Sequence, residues 1–332
     1  MFAWQLFLGA VLAVVVVKII TWFTKKPKLT TPTNKSVFIT GCDSGIGNIC
    51  AKRLDKIGFT VFAGCLMPEG EGAETLRKEA SDRLKIVSLN ITDDESVKKA
   101  AEFVKENLPS REKGLYGLIN NAGVLVFGEF DWQTMKQAEG QVNVNLLGTM
   151  RVTKYFLDLI IETPGRIVNV TSINGRFSYP GLTVYCATKF GLEGFSDALR
   201  YELKKQNVKV AIIEPGDFSR VTNIMQPYIN NLTSMLKDLN EKKASRYKEI
   251  IETKIAKLKA KIGKSDYDPK EANNLFNIIV SDMEDALLAE NPQVRYVSAP
   301  RSFRIIFSII TKLPGELMDK VLEKAVKRAS KH

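Results

Sequence analysis

The chain has 332 residues, 45% of them hydrophobic, and a formal net charge of +11, which fits one large domain or at most two. Its one histidine is the last residue, His332, so a Ser-His-Asp triad and a histidine-ligated zinc or haem are excluded. The four cysteines lack metal-type spacing and the dispersed basic residues accompany no nucleic-acid motif, so neither a metal nor a nucleic acid is expected. Attraction to an anionic membrane surface explains the positive charge better.

The first 24 residues predict a membrane anchor, residues 1–24. Residues 2–24 are apolar with a single charge, Lys18, and such a stretch is long enough to span a bilayer as a helix. A cleaved signal peptide is the alternative, but the segment lacks a basic start and a small-x-small cleavage site. No arginine precedes Arg53, which argues against a mitochondrial presequence. Lysines directly after the anchor predict that a polar linker, 25–35, leads to a cytosolic domain.

Six short apolar runs alternate with helical patterns in the next part of the chain, residues 36–216. Apolar strands separated by helices indicate a parallel sheet with helices on both faces, and right-handed crossovers then give a doubly wound α/β fold of the Rossmann type. We therefore predict that residues 36–216 form a dinucleotide-binding catalytic domain. The predicted strands cover residues 36–40, 59–64, 84–91, 116–123, 166–172 and 208–216.

The remaining residues, 217–332, carry helix-forming stretches and a last predicted strand at 294–299. We expect them to complete the same domain as a substrate-binding helical region. The apolar run 302–314 is too short to span a membrane. We interpret this run as a core helix, with an element that dips into the membrane as the alternative.

A glycine-rich turn follows the first predicted strand and opens a predicted helix. Its spacing is G-x-x-x-G-x-G, from Gly41 to Gly47. Glycines let the backbone turn sharply and approach a pyrophosphate, and the N-terminus of a helix attracts the anion. The strand–turn–helix context therefore favours a dinucleotide site over a purely structural turn. Candidate cofactor residues here are Thr40, Gly41, Ser44, Gly45, Ile46 and Gly47.

A cluster of amides ends the fourth predicted strand. Asn120 and Asn121 precede Ala122 and Gly123, and strand ends line the ligand crevice of a doubly wound sheet. Side-chain amides at this point can bind a cofactor or hold neighbouring strands together. A turn-forming Asn-Gly cluster without a ligand is the alternative.

The proton chemistry is predicted to centre on Tyr185 and Lys189, one helical turn apart and facing the same space. A free phenol has a pKa of about 10, and a nearby ammonium lowers that pKa. The tyrosine can then take the proton of an alcohol as hydride leaves, or return it in reduction. Ser172 can hydrogen-bond the substrate oxygen, and Asn145 could hold a water that relays protons past the lysine. A second Tyr-x-x-x-Lys motif, at Tyr201, lies away from any strand end and is interpreted as structural.

These motifs, in this order and spacing, resemble those of the short-chain dehydrogenase/reductases over about residues 36–220. The resemblance implies a Rossmann-type sheet, a nicotinamide cofactor and a catalytic tetrad of Asn145, Ser172, Tyr185 and Lys189. Motifs and resemblance together give the expected cofactor-binding residues Thr40, Gly41, Ser44, Gly45, Ile46, Gly47, Cys65, Asn90, Asn121, Ala122, Gly123, Tyr185, Lys189, Pro215 and Gly216.

The segments TGCDSGIG, VFAGCLM and YCATKFGLEGFSDALRYEL are similar to one branch of that family. This branch holds microsomal retinol dehydrogenases, 17β-hydroxysteroid dehydrogenases and D-3-hydroxybutyrate dehydrogenase. Retinol and hydroxysteroid members usually begin with an apolar anchor, so the resemblance implies a lipophilic alcohol or ketone as substrate and the endoplasmic reticulum membrane as location. A D-3-hydroxybutyrate dehydrogenase in a mitochondrial membrane is one alternative, and a non-catalytic cofactor-binding membrane scaffold is a second. Many family members pair through long helices beside the sheet, so the resemblance also implies a homodimer.

Two departures from the family pattern concern the cofactor. Asn90 stands where family members often carry Asp, and Gly64 and Cys65 stand where many NAD-preferring members carry an acid for the ribose hydroxyls. No arginine or lysine occupies that point or the glycine loop to receive the 2′-phosphate of NADP. Because the retinol and hydroxysteroid branch shows similar Cys-Leu segments and often uses NAD, we favour NAD over NADP.

Overall fold

The structure is a computed structural model and describes residues 29–261 and 268–329. The predicted anchor at 1–24 and the first part of the linker lie outside the described residues. Among the helices that are described, none is both long enough and apolar enough to cross a membrane.

A seven-stranded parallel sheet forms the centre of the molecule, in the order β3-β2-β1-β4-β5-β6-β7. The order reverses between β1 and β4, which is the point where doubly wound sheets open a ligand crevice. The predicted parallel sheet is therefore confirmed. The strands are β1 Ser36–Thr40, β2 Thr60–Cys65, β3 Leu84–Ser88, β4 Gly117–Asn120, β5 Arg166–Val170, β6 Lys209–Pro215 and β7 Arg295–Ser298.

Helices connect the strands and cover both faces of the sheet. The described α-helices are α1 Gly45–Ile57, α2 Glu71–Glu79, α3 Asp94–Glu106, α4 Met135–Val142, α5 Thr149–Glu162, α6 Thr183–Glu202, α7 Tyr228–Lys237, α8 Glu241–Lys261, α9 Pro269–Leu288, α10 Arg301–Ile310 and α11 Gly315–Ala329. A π-helical segment, Asn143–Gly148, joins α4 to α5.

The two faces of β1 show how the core divides. Val37 and Ile39 pack in a cluster with apolar residues of α1 and α9, whereas Phe38 packs on the other face with residues of α3 and α5. All three side chains are fully buried, and the Phe38 ring stacks on Phe156 with 4.4 Å between centroids. A strand buried on both faces reads as a continuous apolar run, which is why the sequence predicts it so clearly.

The chain beyond residue 216 returns to the same sheet, because β7 pairs with β6 in parallel. The apolar run 302–314 contains most of α10, and the core helix expected there is largely exposed, with Phe307 as its one buried residue. Phe307 is 4% exposed, whereas Ile305 and Ile309 are 62% and 58% exposed. The boundary between residues 216 and 217 stays a prediction.

Candidate active site

A cavity of about 560 Å³ lies at the carboxyl ends of the central strands. Segments that follow β4, β5 and β6 contribute to its wall, as does Ile46 in the first turn of α1. The predicted site residues that line it are Ile46, Asn121, Gly123, Ser172, Tyr185, Lys189, Pro215 and Gly216. The other predicted residues lie outside this lining, namely Thr40, Gly41, Ser44, Gly45, Gly47, Cys65, Asn90, Ala122 and Asn145.

The glycine loop packs so closely that side chains are excluded at two of its positions. Gly41 has φ of +72°, and a Cβ placed there would lie 2.8 Å from the Cα atom of Ala122. A Cβ on Gly47 would lie 2.2 Å from the carbonyl oxygen of Gly41. Gly45 also has a positive φ, of +59°. The loop thus keeps its backbone bare at the N-terminus of α1, as a bound pyrophosphate requires.

Thr40 and Asn121 hold this loop against the end of β4. The hydroxyl of Thr40 accepts hydrogen bonds of 3.0 Å from the backbone N–H groups of both Asn121 and Ala122. In return, Nδ2 of Asn121 donates to the carbonyl oxygens of Thr40 and Gly41, at 2.9 and 3.2 Å. The amide of Asn121 therefore joins neighbouring strands, one of the two roles that its position predicts.

The first turn of α1 has the donors that an anion needs. Ser44, its N-cap residue, is exposed and makes no side-chain capping bond. No acidic residue stands in the first turn. No side chain of the first turn therefore occupies the unpaired N–H groups or offsets the positive end of the helix dipole, so both are available to an anion. These residues fit the pyrophosphate of a dinucleotide.

The side chains of Cys65 and Asn90 make contacts within the protein, and their contact with a cofactor stays a prediction. Cys65 is fully buried in the core, because its side chain points to the same face of the strand as Val61. This burial raises the pKa of its thiol to about 12. Asn90 uses its Oδ1 to accept hydrogen bonds of 3.0 and 2.7 Å from the backbone and hydroxyl of Thr92. Both side chains therefore serve the fold locally.

Asp43 stands at the exit of β2 and was not among the sequence-based candidates. Its carboxylate accepts hydrogen bonds from the backbone N–H groups of Leu66 and Met67, at 3.0 and 2.7 Å. It thus brings a negative charge to the point where the strand itself lacks an acidic residue. The available signal was an acid inside the glycine loop, but only the folded chain shows that this loop reaches the end of β2.

Tyr185 and Ser172 meet in the cavity. Each residue is 6% exposed, and both line the cavity. Burial raises the pKa of the Tyr185 phenol to about 12, and the nearby hydroxyl of Ser172 opposes that change. The hydroxyl of Ser172 also accepts a hydrogen bond of 3.1 Å from the backbone N–H of Asn174, which fixes its position.

In the structure burial dominates the pKa of the phenol, and its acidification by Lys189 stays a prediction. The Nζ atom of Lys189 lies 5.7 Å from the centre of the Tyr185 ring and donates a hydrogen bond of 3.1 Å to the carbonyl oxygen of Val170. Burial lowers the pKa of Lys189 to about 8, while Glu193 opposes the change. Loss of hydration raises the pKa of a phenol and lowers that of an ammonium, and it is the largest cause of the shift for both residues here.

Asn145 is completely buried and bonds to the protein on both sides of its amide. Its Nδ2 donates to the carbonyl oxygen of Val124 at 2.8 Å and to the hydroxyl of Thr188 at 3.2 Å, and its Oδ1 accepts from Val124 N–H at 2.8 Å. Thr188 in turn donates to the carbonyl oxygen of Tyr185 at 2.7 Å. Asn145 thus ties the segment after β4 to the first turns of α6.

The other Tyr-x-x-x-Lys motif lies elsewhere, because Tyr201 is 69% exposed and outside the cavity.

Apolar side chains form most of the remaining wall. Phe177 and Tyr179 follow β5, Phe218 follows β6, and Phe307 and Ile310 come from α10. Sequence reasoning did not single these residues out, apart from the apolar run that contains α10. Within the part of the chain that the structure describes, Lys189 is the only side-chain cation in the lining of this cavity.

The chain belongs to the short-chain dehydrogenase family, whose model matches residues 35–233. It is 39% identical over 292 residues to the mitochondrial D-beta-hydroxybutyrate dehydrogenase of Mus musculus, covering 86% of this chain and 83% of that one. It is also 39% identical over 289 residues to retinol dehydrogenase 7 of Mus musculus, covering 87% and 88%. Identity to the 17-beta-hydroxysteroid dehydrogenase type 6 of Bos taurus is 37% over 308 residues, covering 92% and 93%. This chain is accordingly an oxidoreductase that acts on CH–OH groups.

The fold also matches that of a short-chain dehydrogenase from Streptomyces avermitilis. The TM-score is 0.62 at 23% sequence identity, and the match covers 89% of this chain and 97% of that one. This likeness concerns the fold alone.

Proposed function

We propose that the protein is a nicotinamide-dependent dehydrogenase for a neutral, lipophilic alcohol, such as a hydroxysteroid or retinol. The observation that carries this proposal is the apolar cavity, whose lining includes Tyr185 and Ser172. Among the residues that the structure describes, Lys189 is the only cationic side chain in that lining. The reaction interconverts an alcohol and a carbonyl by hydride transfer. Among its named relatives are a retinol dehydrogenase and a 17-beta-hydroxysteroid dehydrogenase, which supports this choice.

The cofactor would lie along the carboxyl ends of the strands. The loop from Gly41 to Gly47 and the first turn of α1 would hold its pyrophosphate, and Pro215 with Gly216 would line the space beside the nicotinamide. When bound, the nicotinamide accepts the hydride in alcohol oxidation and returns it in reduction. Ile46, Asn121 and Gly123 line the same cavity and complete the cofactor-facing wall. The remaining candidate residues, Cys65 and Asn90 among them, would lie along the outer part of the cofactor site.

Tyr185 would exchange the proton of the substrate oxygen through its phenol. Ser172, which lines the cavity beside that phenol, would hold the substrate oxygen as charge develops on it. The ammonium of Lys189 would stabilise the phenolate, and its effect has to overcome the burial that now raises the phenol pKa. Asn145 would position the segment after β4 and the start of α6, with any relayed water held at its backbone.

The lining of the cavity favours a neutral substrate over a hydroxy acid. A carboxylate taken into a largely apolar cavity needs a cation or several hydrogen-bond donors to offset lost hydration. Lys189 is already bonded to Val170, and the lining carries the acidic residue Asp217. A D-3-hydroxybutyrate dehydrogenase remains the second candidate because a relative of that name is 39% identical.

The charge at the end of β2 favours NAD over NADP. Asp43 places a carboxylate beside the backbone of Leu66 and Met67. In this fold the ribose hydroxyls lie near that point, where an acid can accept from them and repels a 2′-phosphate. The guanidinium of Arg77 forms ion pairs with the carboxylates of Glu69 and Glu74, at 3.3 and 3.0 Å.

Membrane attachment through residues 2–24, with the catalytic domain in the cytosol, belongs to the same proposal. The exposed face of α10, with Ile305 and Ile309, adjoins Phe307 at the cavity wall and would suit delivery of a lipophilic substrate. We place the protein in the endoplasmic reticulum membrane, with a mitochondrial membrane as the alternative. A homodimer is proposed from the family resemblance only.

A substrate panel tests the proposal. Full-length protein in detergent or liposomes is assayed with hydroxysteroids, retinol and D-3-hydroxybutyrate, each with NAD and with NADP. Turnover of a steroid or retinol with NAD is the expected result. Turnover of D-3-hydroxybutyrate alone would establish the second candidate instead. If no substrate turns over while cofactor still binds, the non-catalytic scaffold becomes the better account.

A further inference from the structure

Two carboxyl groups, one of them a helical turn from Lys189, are buried and have no part in the proposed proton transfer. Glu193 stands one helical turn further along α6 and is 6% exposed, and Glu214 on β6 is fully buried. Neither residue lines the cavity. Burial of a carboxylate is costly unless charge and hydrogen bonds compensate for the lost hydration, so the pair needs a physical explanation.

Arg295 on β7 brings the two carboxyl groups together. Its Nε lies 3.1 Å from Oε2 of Glu193 and 3.4 Å from Oε1 of Glu214. Its Nη2 lies 2.5 Å from Oδ2 of Asp197, and Arg176 adds a guanidinium 3.5 Å from Oε1 of Glu214. The two carboxyl groups therefore converge on a single guanidinium nitrogen.

One oxygen of each carboxyl group is left over. Oε1 of Glu193 and Oε2 of Glu214 are buried and have no hydrogen-bond partner. Two ionised groups would leave both oxygens as unsatisfied charged acceptors, whereas one proton held between them would serve both. Burial and the neighbouring Glu193 raise the pKa of Glu214 to about 7, and burial also raises the pKa of Glu193. Both directions agree with a shared proton.

We propose that Glu193 and Glu214 share one proton and act as a positioning pair for Lys189, keeping its ammonium charged as the pH rises. The inference rests on the role proposed above for Lys189. The groups that face the pair from the elements around it are Thr171, Arg176, Lys189, Asp197 and Arg295.

The charge of the carboxyl pair and the charge of Lys189 are coupled. Burial lowers the pKa of Lys189 to about 8, so its ammonium loses its proton at a lower pH than that of an ordinary lysine. While the proton is shared the pair carries one negative charge, and it gains a second when that proton leaves. An opposite charge nearby favours the ammonium of Lys189. The pair thus extends the working range of the site to higher pH.

Infrared difference spectroscopy tests the shared proton without any need for turnover. A protonated carboxyl group has a C=O stretching band that a carboxylate lacks, so wild type at neutral pH should show a band that Glu214→Gln does not. The band should fade by about pH 9. If wild-type protein has no such band at neutral pH, the shared proton is refuted, whatever the enzyme activity turns out to be.

The pH profile of kcat/KM for alcohol oxidation tests the effect on Lys189. Glu193→Gln should move the alkaline limb to lower pH by about one unit, because it removes the nearest opposite charge. Glu202→Gln changes an exposed acid at the end of the same helix and should leave that limb in place. An equal loss of activity at every pH, without a shift, would reduce the pair to a structural role and overturn the proposal.

Glu214→Gln supplies the same test should Glu193→Gln fail to fold. Its amide is close in shape to a protonated carboxyl group but cannot ionise, so the variant should lose the alkaline part of the profile. A profile that coincides with that of Glu202→Gln would count against the proposal. If wild-type protein has no dehydrogenase activity, the proposed function fails, while the infrared result still decides whether the proton is shared.

Discussion

The ammonium of Lys189 donates a hydrogen bond of 3.1 Å to the carbonyl oxygen of Val170, the last residue of β5. Ser172 follows two residues later and lines the same cavity as Tyr185, which lies on the same helix as Lys189. The hydrogen bond to Val170 thus ties α6 to the end of β5, where three candidate catalytic side chains meet. A helix joined to a strand end gives the site the rigidity that proton transfer needs.

The burial of Lys189 is expected to cost stability. Burial lowers its pKa to about 8, against about 10.4 in an unfolded chain. Between these values the unfolded chain binds more protons than the folded one, so stability rises with pH in this window. Below about pH 8 the buried ammonium therefore destabilises the folded state by about 3 kcal/mol.

Lys189→Met should accordingly be more stable than wild type at neutral pH, by about 2 kcal/mol after about 1 kcal/mol is lost at the unpaired oxygen of Val170. The advantage should shrink above about pH 8, and urea unfolding at several pH values measures it. Lys205→Met changes an exposed lysine and serves as the control. Lower stability of Lys189→Met at neutral pH would show that the fold favours the ammonium. Turnover by Lys189→Met should fall by about 10²-fold or more.

The two Tyr-x-x-x-Lys motifs of α6 provide a matched pair of variants. Tyr185→Phe removes the phenol that meets Ser172 and should lower kcat by about 10²-fold or more, since general acid–base catalysis contributes on that order. Tyr201→Phe alters a tyrosine that is 69% exposed and should keep wild-type kcat. Steady-state kinetics and cofactor titration by fluorescence give the comparison, with cofactor affinity kept in both. Comparable kcat values for the two variants would remove Tyr185 from the mechanism.

The sequence predicts the sheet and the clustering of Ser172, Tyr185 and Lys189 well, because both follow from local rules. Parallel strands end at one edge of the sheet, and residues four apart share one face of a helix. The lowering of the phenol pKa by Lys189 stays a prediction, because burial dominates that pKa in the structure. Attraction between two charges can be inferred from their spacing, whereas loss of hydration depends on side chains contributed by distant parts of the chain.

The outer part of the cofactor site shows the same limit. β2 is buried on both faces and reads as an uninterrupted apolar run, so its sequence does not reveal that Cys65 points into the core. The third strand was predicted to extend to residue 91 but ends at Ser88, where Asn90 bonds to Thr92 and starts a turn. The approach of Asp43 to the end of β2 depends on tertiary structure.

The glycine loop predicts opposite effects for two Gly→Ala substitutions. At Gly47 a Cβ would lie 2.2 Å from the carbonyl oxygen of Gly41 and 2.5 Å from Nδ2 of Asn121, so the loop must shift. Gly47→Ala should lower cofactor affinity by about tenfold or more, through the loss of about 1.4 kcal/mol or more. At Gly194 on α6 a Cβ would meet nothing within 4 Å. Gly194→Ala should stabilise the protein by about 0.5–1 kcal/mol, because alanine loses less backbone entropy in a helix.

Isothermal titration with cofactor and thermal unfolding of both variants measure these effects. Gly47→Ala protein that binds cofactor as tightly as wild type would show that the close packing of the loop is not needed for binding. The Gly194→Ala variant also controls for the general consequence of adding a methyl group to the chain.

Asp43 predicts the direction of cofactor preference. Its carboxylate, held by Leu66 and Met67 at 3.0 and 2.7 Å, should repel the 2′-phosphate of NADP. Asp43→Asn keeps an oxygen that can accept one of these hydrogen bonds but removes the charge. The ratio of kcat/KM for NAD to that for NADP should then fall by about tenfold, which corresponds to about 1.4 kcal/mol. Asp82→Asn removes an exposed charge just before β3, at the amino ends of the strands and so away from the cofactor, and should keep the wild-type ratio. An unchanged ratio in Asp43→Asn would assign the choice between the two cofactors to other residues.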